Sequence, residues 1–114
     1  MSDCLFCKII AGQIPGNFIY QDDALVAFND INPQAPLHAL IVPRRHIATL
    51  IDLAPDDDGL VGSMFRAAAR LANEHGYAER GYRTVFNTNR DAGQTVFHLH
   101  LHLLAGRGLS WPPG

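Results

Sequence analysis

The sequence predicts an α+β fold, an antiparallel sheet of about five strands with one long helix and a short N-terminal helix. Five strand-like apolar runs occur along the chain, and only one long helical pattern separates them. Strands joined by short connections pair antiparallel. At 114 residues with 47% hydrophobic content, the chain fits a single domain over 1–114 and leaves no room for a second.

The N-terminal segment predicts the short helix. Asp3 to Ile10 begins with a residue that favours the N-cap position, and Gly12 follows as a residue that ends helices. Helical spacing then places Cys4 and Cys7 on one face.

The next three apolar runs predict strands. Phe18–Tyr20 and Ala24–Phe28 flank the turn-forming pair Asp22–Asp23, which favours a hairpin. After a proline-rich loop, His38–Val42 is a third apolar run, and Pro43 ends it.

The long helix follows these strands. Apolar residues recur at helical spacing from Leu60 to Ala72, directly after the acidic run Asp56–Asp58. Negative charges favour a helix N-terminus, and Gly76 is placed to end the helix. Tyr82–Asn87 then predicts a fourth strand, and a polar loop over 88–94 connects it to the fifth.

The most informative pattern is the alternation of histidine and apolar residues in the predicted fifth strand, Phe97–Leu104. Successive side chains on a strand point to opposite faces, so His98, His100 and His102 share one face and the leucines share the other. Neighbouring histidines would stand roughly 7 Å apart, close enough for two of them to act on one phosphorus centre. Three imidazoles buried for packing alone would need polar partners, so the pattern favours a reactive site.

His100 is the candidate nucleophile because it is the middle histidine and imidazole is uncharged near pH 7. Its attack on phosphorus would form a covalent phosphorus–histidine intermediate. The turn Gly93-Gln94-Thr95 precedes it and could direct backbone N–H groups at the phosphate.

Charge and composition restrict the partners. Eleven acidic and nine basic side chains give a net charge of -2, which argues against binding to duplex nucleic acid. The sequence shows neither a signal-peptide pattern nor an apolar run long enough for a membrane span. We therefore expect a cytoplasmic protein that does not bind membranes. In a reducing compartment, the Cys4-x-x-Cys7 pair favours metal binding or redox chemistry over a structural disulfide.

The residues resemble the histidine triad family, whose signature is His-apolar-His-apolar-His followed by two apolar residues. His98–Leu104 matches this signature, and Phe28–His38 and Ile41–Ile47 are similar to the first half of the family domain. The ending Gly106–Gly114 is similar to the nucleotide-binding branch, which hydrolyses purine nucleoside phosphoramidates. The resemblance covers nearly the whole chain.

The resemblance implies roles for individual residues. His100 would carry the nucleotidyl group, His102 would contact the phosphate and assist proton transfer to the leaving amine, and His38 would complete the relay. The remaining substrate contacts would be Asp30 and Ile31 at the ribose and base, and Asn87 and Thr95 at the phosphate and sugar. The family's phosphoramidases are homodimers, so the tail 105–114, with Trp111, would lie at the dimer interface and the active site.

A zinc site is also expected. Cys4 and Cys7 supply two thiolates, and His46 and His98 are the candidates for the other two ligands of a tetrahedral site, a set that some histidine triad proteins carry. The zinc would be structural, and no catalytic metal is expected. A redox role for the cysteine pair is the alternative.

Two other functions remain open. A sister branch of the family cleaves dinucleoside polyphosphates, although the C-terminal tail argues against it. The chain could instead be a non-catalytic nucleotide-binding or metal-binding module in which the three histidines bind one ion. On one strand they would span roughly 13 Å, too far to converge without a bulge.

Overall fold

The computed structural model describes residues 3–114 and shows one antiparallel sheet in the order β1-β2-β3-β5-β4. The elements in chain order are α1 (Leu5–Ile10), β1 (Phe18–Gln21), β2 (Leu25–Asn29), β3 (Leu37–Pro43), α2 (Asp58–Glu74), β4 (Tyr82–Val85) and β5 (Leu101–Ala105). Short 3-10 turns at Leu50–Asp52 and Pro55–Asp57 precede α2. The predicted α+β class is confirmed. No helix within residues 3–114 is long and apolar enough to cross a membrane.

The two faces of the sheet pack against different helices. On one face, α2 contributes Met64 and Leu71, both with 0% exposure, to the larger core. On the other face, Phe6 of α1 packs in a smaller cluster with Val26, Phe28, Leu40 and Val42. Alternation along β2 and β3 produces both clusters, because successive side chains enter opposite faces.

The strand that carries the histidine–leucine alternation begins later than predicted. β5 spans Leu101–Ala105, so the prediction of a strand from Phe97 is wrong. Its neighbour β3 ends at Pro43, which has no N–H for a further ladder bond. Residues 97–100 therefore run beside the segment after β3, where the N–H of Leu99 donates to the carbonyl oxygen of Ile47 at 2.6 Å.

The predicted separation of leucine and histidine side chains persists through this irregular stretch. Leu99, Leu101 and Leu103 are at most 1% exposed in the core beneath α2. His100 is instead in ring contact with Phe6 of the opposite cluster, at 5.1 Å between centroids.

The N-cap of α1 is Cys4 rather than the predicted Asp3. The Sγ of Cys4 accepts a hydrogen bond from the N–H of Cys7 at 3.3 Å, the role that an aspartate oxygen would have filled. Gly12 follows the helix with φ +80°, the left-handed conformation expected of a glycine there.

The long helix and the fourth strand have simple boundaries. α2 begins at Asp58, within the acidic run, and Gly76 follows its end with φ +83°, as predicted. β4 ends at Val85, two residues earlier than predicted. Val85 pairs with His102, so Phe86 would lie opposite Leu101, the first residue of β5, and Asn87 has no residue of β5 to pair with.

Pairing of β3 with β5 brings two histidines together. His38 is opposite Leu104, and His102 is opposite Leu40, so the two imidazoles are diagonal neighbours on one face. Their ring centroids are 5.2 Å apart. Strand register thus brings together two residues that are 64 positions apart in the sequence.

Candidate active site and metal cluster

A cleft of about 690 Å³ opens on the face of the sheet that α1 covers. His100 and His102 line it, together with the predicted substrate residues Asp30, Ile31, Asn87, Gly93, Gln94 and Thr95. The apolar wall was not predicted and includes Leu5, Phe6, Ile9, Ile14, Phe28, Leu40 and Val96. The apolar residues of α1 could have indicated this wall, because a short helix can bury its apolar side chains only against another part of the molecule.

The free ring nitrogen of His100 is Nε2. Its Nδ1 lies 2.7 Å from the carbonyl oxygen of His98, and a carbonyl can only accept, so Nδ1 carries the proton. Phe6 packs edge-on against the ring, with 84° between the two planes. Burial lowers the pKa of His100 below its usual value, so the ring is neutral at pH 7 and keeps a lone pair on Nε2.

Hydrogen bonds assign the protons of the neighbouring pair in the same way. The N–H of Gln34 donates to Nδ1 of His38 at 3.0 Å, which places the His38 proton on Nε2. That Nε2 donates to Nδ1 of His102 at 2.9 Å. The proton of His102 is therefore on its own Nε2. The ring centroids of His100 and His102 are 5.0 Å apart. Nε2 of His100 has the lone pair, and Nε2 of His102 has the proton.

Burial and like neighbours keep this pair uncharged. Burial lowers the pKa of His38, and burial together with the nearby imidazoles of His100 and His38 lowers the pKa of His102 to about 4. The carboxylate of Asp30 acts in the opposite direction, with Oδ2 3.5 Å from Nε2 of His38. Its Oδ1 accepts from the N–H of Asn32 at 2.9 Å.

The loop before the histidines does not offer all the N–H groups expected of it. The N–H groups of Gly93 and Gln94 donate within the loop, to the carbonyl oxygens of Arg90 and Asn89, both at 3.0 Å. The expectation that these two groups bind a phosphate is therefore wrong. Gly93 has φ +82°, so it forms the turn, while the exposed Thr95 lines the cleft.

The side chain of Gln94 organises this loop. It is 7% exposed, and its Oε1 accepts from the N–H of Asn89 at 2.9 Å. Its Nε2 donates to the carbonyl oxygens of Ala48 and Val96. Gln94 thus connects the loop over 88–95 to the segment after β3, a role that residue type alone could not reveal.

Trp111 lies outside the cleft of its own chain. It is 80% exposed, and the guanidinium of Arg83 lies 5.9 Å from the centroid of its ring. Arg83 also donates to the carbonyl oxygens of Ser110 at 3.0 Å and Leu109 at 3.4 Å. The tail therefore lies along β4 and away from the histidines of the same chain.

The four predicted metal ligands meet beside the cleft. Nδ1 of His98 lies 3.3 Å from Sγ of Cys4, 3.5 Å from Sγ of Cys7 and 3.2 Å from Nδ1 of His46. Tetrahedral zinc with ordinary bond lengths separates two nitrogens by ~3.3 Å and a nitrogen from a sulfur by ~3.5 Å. The donor set and its spacing therefore fit zinc.

The hydrogen bonds around this cluster also suit a cation. Nε2 of His98 donates to the carbonyl oxygen of Pro43 at 2.7 Å, which leaves the lone pair of Nδ1 facing the sulfurs. Burial and the neighbouring Cys4 raise the pKa of the Cys7 thiol. A cation bound between the two sulfurs would offset the repulsion between two adjacent thiolates. His98, at 0% exposure, belongs to this cluster and not to the cleft.

Comparisons with known proteins identify relatives of this chain. The family model described as "Scavenger mRNA decapping enzyme C-term binding" matches residues 3–109. A purine nucleoside phosphoramidase of Escherichia coli is 48% identical over 107 residues, which cover 94% of this chain and 90% of that protein. An uncharacterized HIT-like protein of Synechococcus elongatus is 46% identical, over 98% of this chain and 97% of that protein.

Solved structures of related proteins have the same fold. The crystal structure of a HIT family hydrolase from Legionella pneumophila superposes with a TM-score of 0.96 at 51% identity, covering 98% of this chain and all of that chain. A histidine triad protein from Clostridium difficile superposes with a TM-score of 0.92 at 43% identity, covering 96% of both chains.

The first prediction concerns the metal cluster. We expect Cys4→Ser to weaken zinc binding by about tenfold or more and to lower the melting temperature, because α1 loses a connection to the sheet. The KM should rise, since α1 lines the cleft, while kcat changes little. Metal content, thermal unfolding and kinetics are measured beside Gln13→Ala, an exposed change after α1. Zinc retained at full stability, or kcat lost in step with zinc in folded protein, would contradict this assignment.

The second prediction concerns pH. His102 titrates near 6.5 in the unfolded chain and at about 4 in the folded one, so between these values the unfolded state binds a proton that the folded state does not. The contribution of neutral His102 to the free energy of unfolding is fully present above pH 6.5. It is lost as pH falls towards 4, by at most about 1.4 kcal/mol per pH unit. The free energy of unfolding, measured with urea from pH 7 to 4.5, should therefore decline more steeply for wild type than for His102→Gln. Equal slopes in the two proteins would refute the assignment.

Proposed function

The chain belongs to the histidine triad family, and we propose that it is a purine nucleoside phosphoramidase that releases a nucleoside monophosphate through a nucleotidyl-histidine intermediate. One observation carries the proposal. Nε2 of His100 has a free lone pair at the cleft, and beside it Nε2 of His102 has a proton. A nucleophile next to a proton donor is what cleavage of a P–N bond requires.

In the first step, Nε2 of His100 would attack phosphorus, and the P–N bond would break. The departing nitrogen would take the proton from Nε2 of His102. His38 and His102 would then share one proton and a negative charge, which the positive charge that His100 gains on bonding to phosphorus would offset. The bond from Nδ1 of His100 to the carbonyl of His98 would orient the attacking ring.

In the second step, water would hydrolyse the intermediate. The water oxygen would bond to phosphorus as the bond to His100 breaks, and a water proton would return to His102. His38 would act through Nδ1 of His102, keeping the mobile proton on the nitrogen that faces the cleft. These steps use only imidazoles, so we expect no catalytic metal.

Substrate would bind along the same cleft. We propose that Asp30 accepts hydrogen bonds from ribose hydroxyls and that the 100% exposed Ile31 covers the base. Asn87 and Thr95 would contact the phosphate and sugar region. The apolar wall from α1 and β2 suits a flat purine, and the negative charge of Asp30 suits a ribose more than a second phosphate group.

Zinc would be structural. Cys4, Cys7, His46 and His98 would hold it, and it would tie α1 to the sheet. A reducing compartment such as the cytoplasm would keep both thiols available for the metal. A module in which the three histidines jointly bind one ion is disfavoured, because Nδ1 of His98 faces the cysteines while the other two rings face the cleft.

The third prediction tests the activity. Wild type should release AMP from adenosine 5′-phosphoramidate, and His100→Ala should lower kcat by about a thousandfold or more. His75→Ala, which changes an exposed histidine at the end of α2, should retain full activity. A chelator should leave the initial rates unchanged. No AMP release by folded wild type would overturn the proposal, and cleavage of dinucleoside polyphosphates instead would favour the sister activity.

We further propose a homodimer in which the tail of one chain completes the cleft of the other. β4 is the last strand in the sheet order and presents unpaired backbone groups. Tyr82 on β4 is 40% exposed, and Trp111, bound beside it through Arg83, is 80% exposed. A second copy would cover this edge and these rings.

The fourth prediction tests that arrangement. Sedimentation equilibrium should give a mass about twice the 12.5 kDa of the chain. Chains with His100→Ala and chains lacking residues 109–114 should each be poorly active, and their heterodimer should regain one complete site. A monomeric mass, or a heterodimer without gain of activity, would contradict the proposal.

A further inference from the structure

We propose that Arg107, outside the cleft, is a positioning residue: by binding Gln34, it keeps the protons of His38 and His102 on the nitrogens that the reaction uses. The inference rests on the proposed phosphoramidase activity for its kinetic consequence. Its structural basis is independent of that activity.

A continuous series of hydrogen bonds connects Arg107 to the cleft. Its Nε donates to the carbonyl oxygen of Gln34 at 2.7 Å, and its Nη1 donates to the carbonyl oxygen of Gly108 at 2.9 Å. The N–H of Gln34 donates to Nδ1 of His38 at 3.0 Å. Nε2 of His38 then donates to His102. Gln34 is thus bound at both its carbonyl and its N–H.

Close packing at the end of β5 supports the same loop. Gly106 has φ +102°, and a Cβ at this position would lie 2.8 Å from Cβ of Pro36. The backbone that leads into Arg107 therefore lies directly against the loop that contains Gln34. Prolines 33 and 36 flank Gln34 and restrict the backbone on both sides. Arg107 adds a hydrogen bond from the end of β5 to a loop that is already constrained in shape.

The direction of the Gln34 N–H decides the tautomer of two rings. While it donates to Nδ1 of His38, the proton of that ring must be on Nε2, and His102 must carry its own proton on Nε2. If the N–H turned away, both protons could move to Nδ1, with one proton still on each ring. His102 would then present a lone pair to the departing nitrogen instead of a proton. The attack by His100 would be unaffected.

The effect should therefore depend on the leaving group. A phosphoramidate of an alkylamine needs a proton as the P–N bond breaks, whereas that of a weakly basic arylamine needs it much less. Loss of one hydrogen bond to Gln34 corresponds to a roughly three- to tenfold change in the tautomer population. We expect a loss of kcat of that size for the alkylamine substrate, with a smaller loss for the arylamine and little change in KM.

The fifth prediction compares two arginines that make the same kind of bond. Arg107→Met removes the donor to Gln34 and keeps most of the side-chain hydrocarbon. Arg44 provides a matched control, because its Nε donates to the carbonyl oxygen of Asp22 at 2.8 Å, on the hairpin. Arg107→Lys keeps a charged donor group and should retain most of the activity that Arg107→Met loses.

Two readouts decide the outcome. Long-range proton–nitrogen NMR spectra of [15N]histidine-labelled protein report which ring nitrogen is protonated. For Arg107→Met we expect mixed tautomers at His38 and His102, and for Arg44→Met we expect the wild-type pattern. A wild-type pattern in Arg107→Met, or equal losses of kcat for both substrates, would overturn the inference. If wild type does not hydrolyse phosphoramidates, the proposed function fails, and the spectra alone still test the role of Arg107.

Discussion

The site depends on one constraint: main-chain groups fix the protons of its imidazoles. They engage one nitrogen of His98, His100 and His38, and His38 in turn engages Nδ1 of His102. The carbonyl of Pro43 takes the N–H of His98, and the carbonyl of His98 takes that of His100. For His38, a backbone N–H is the donor instead. Carbonyls leave a free lone pair on the far nitrogen, and an N–H donor leaves a proton there. Strand register and loop geometry thus determine which nitrogen of each ring carries the proton.

The same constraint distinguishes two clusters that composition alone would treat alike. Asp30, His38 and His102 place three possible ligand atoms within 4.8 Å of one another, as the Cys/His cluster does with four. A cation on Nε2 of His38 would require a ring with no proton at all, because its Nδ1 already accepts from Gln34. This cluster therefore suits a shared proton, whereas the free lone pair of His98 suits a cation.

Five apolar runs and one long helical pattern were sufficient to predict the fold class. The alternation of residues 98–104 predicted the two faces of the strand, because a period of two survives even where the strand is irregular. The grouping of the cleft residues came from the resemblance to the histidine triad family. The hydrogen-bond partners of main-chain groups could not be predicted from these patterns. No residue type indicates that residues 97–100 will lie outside β5, that a cysteine will cap α1, or that Gln94 will turn inward to bind Ala48. Such roles arise from where main-chain groups fall in space, which sequence spacing encodes only indirectly.

The metal cluster and the cleft are connected through α1. This helix has six residues, too few to be stable alone, yet it forms one wall of the cleft. Its cysteines contact His98 and its Phe6 contacts His100, two residues further along the same chain. A short helix that must cover a substrate needs an attachment stronger than its own hydrogen bonds. A structural metal beside His98 would supply that attachment without entering the chemistry, and it would give a role to the one histidine of the three that faces the cysteines instead of the cleft.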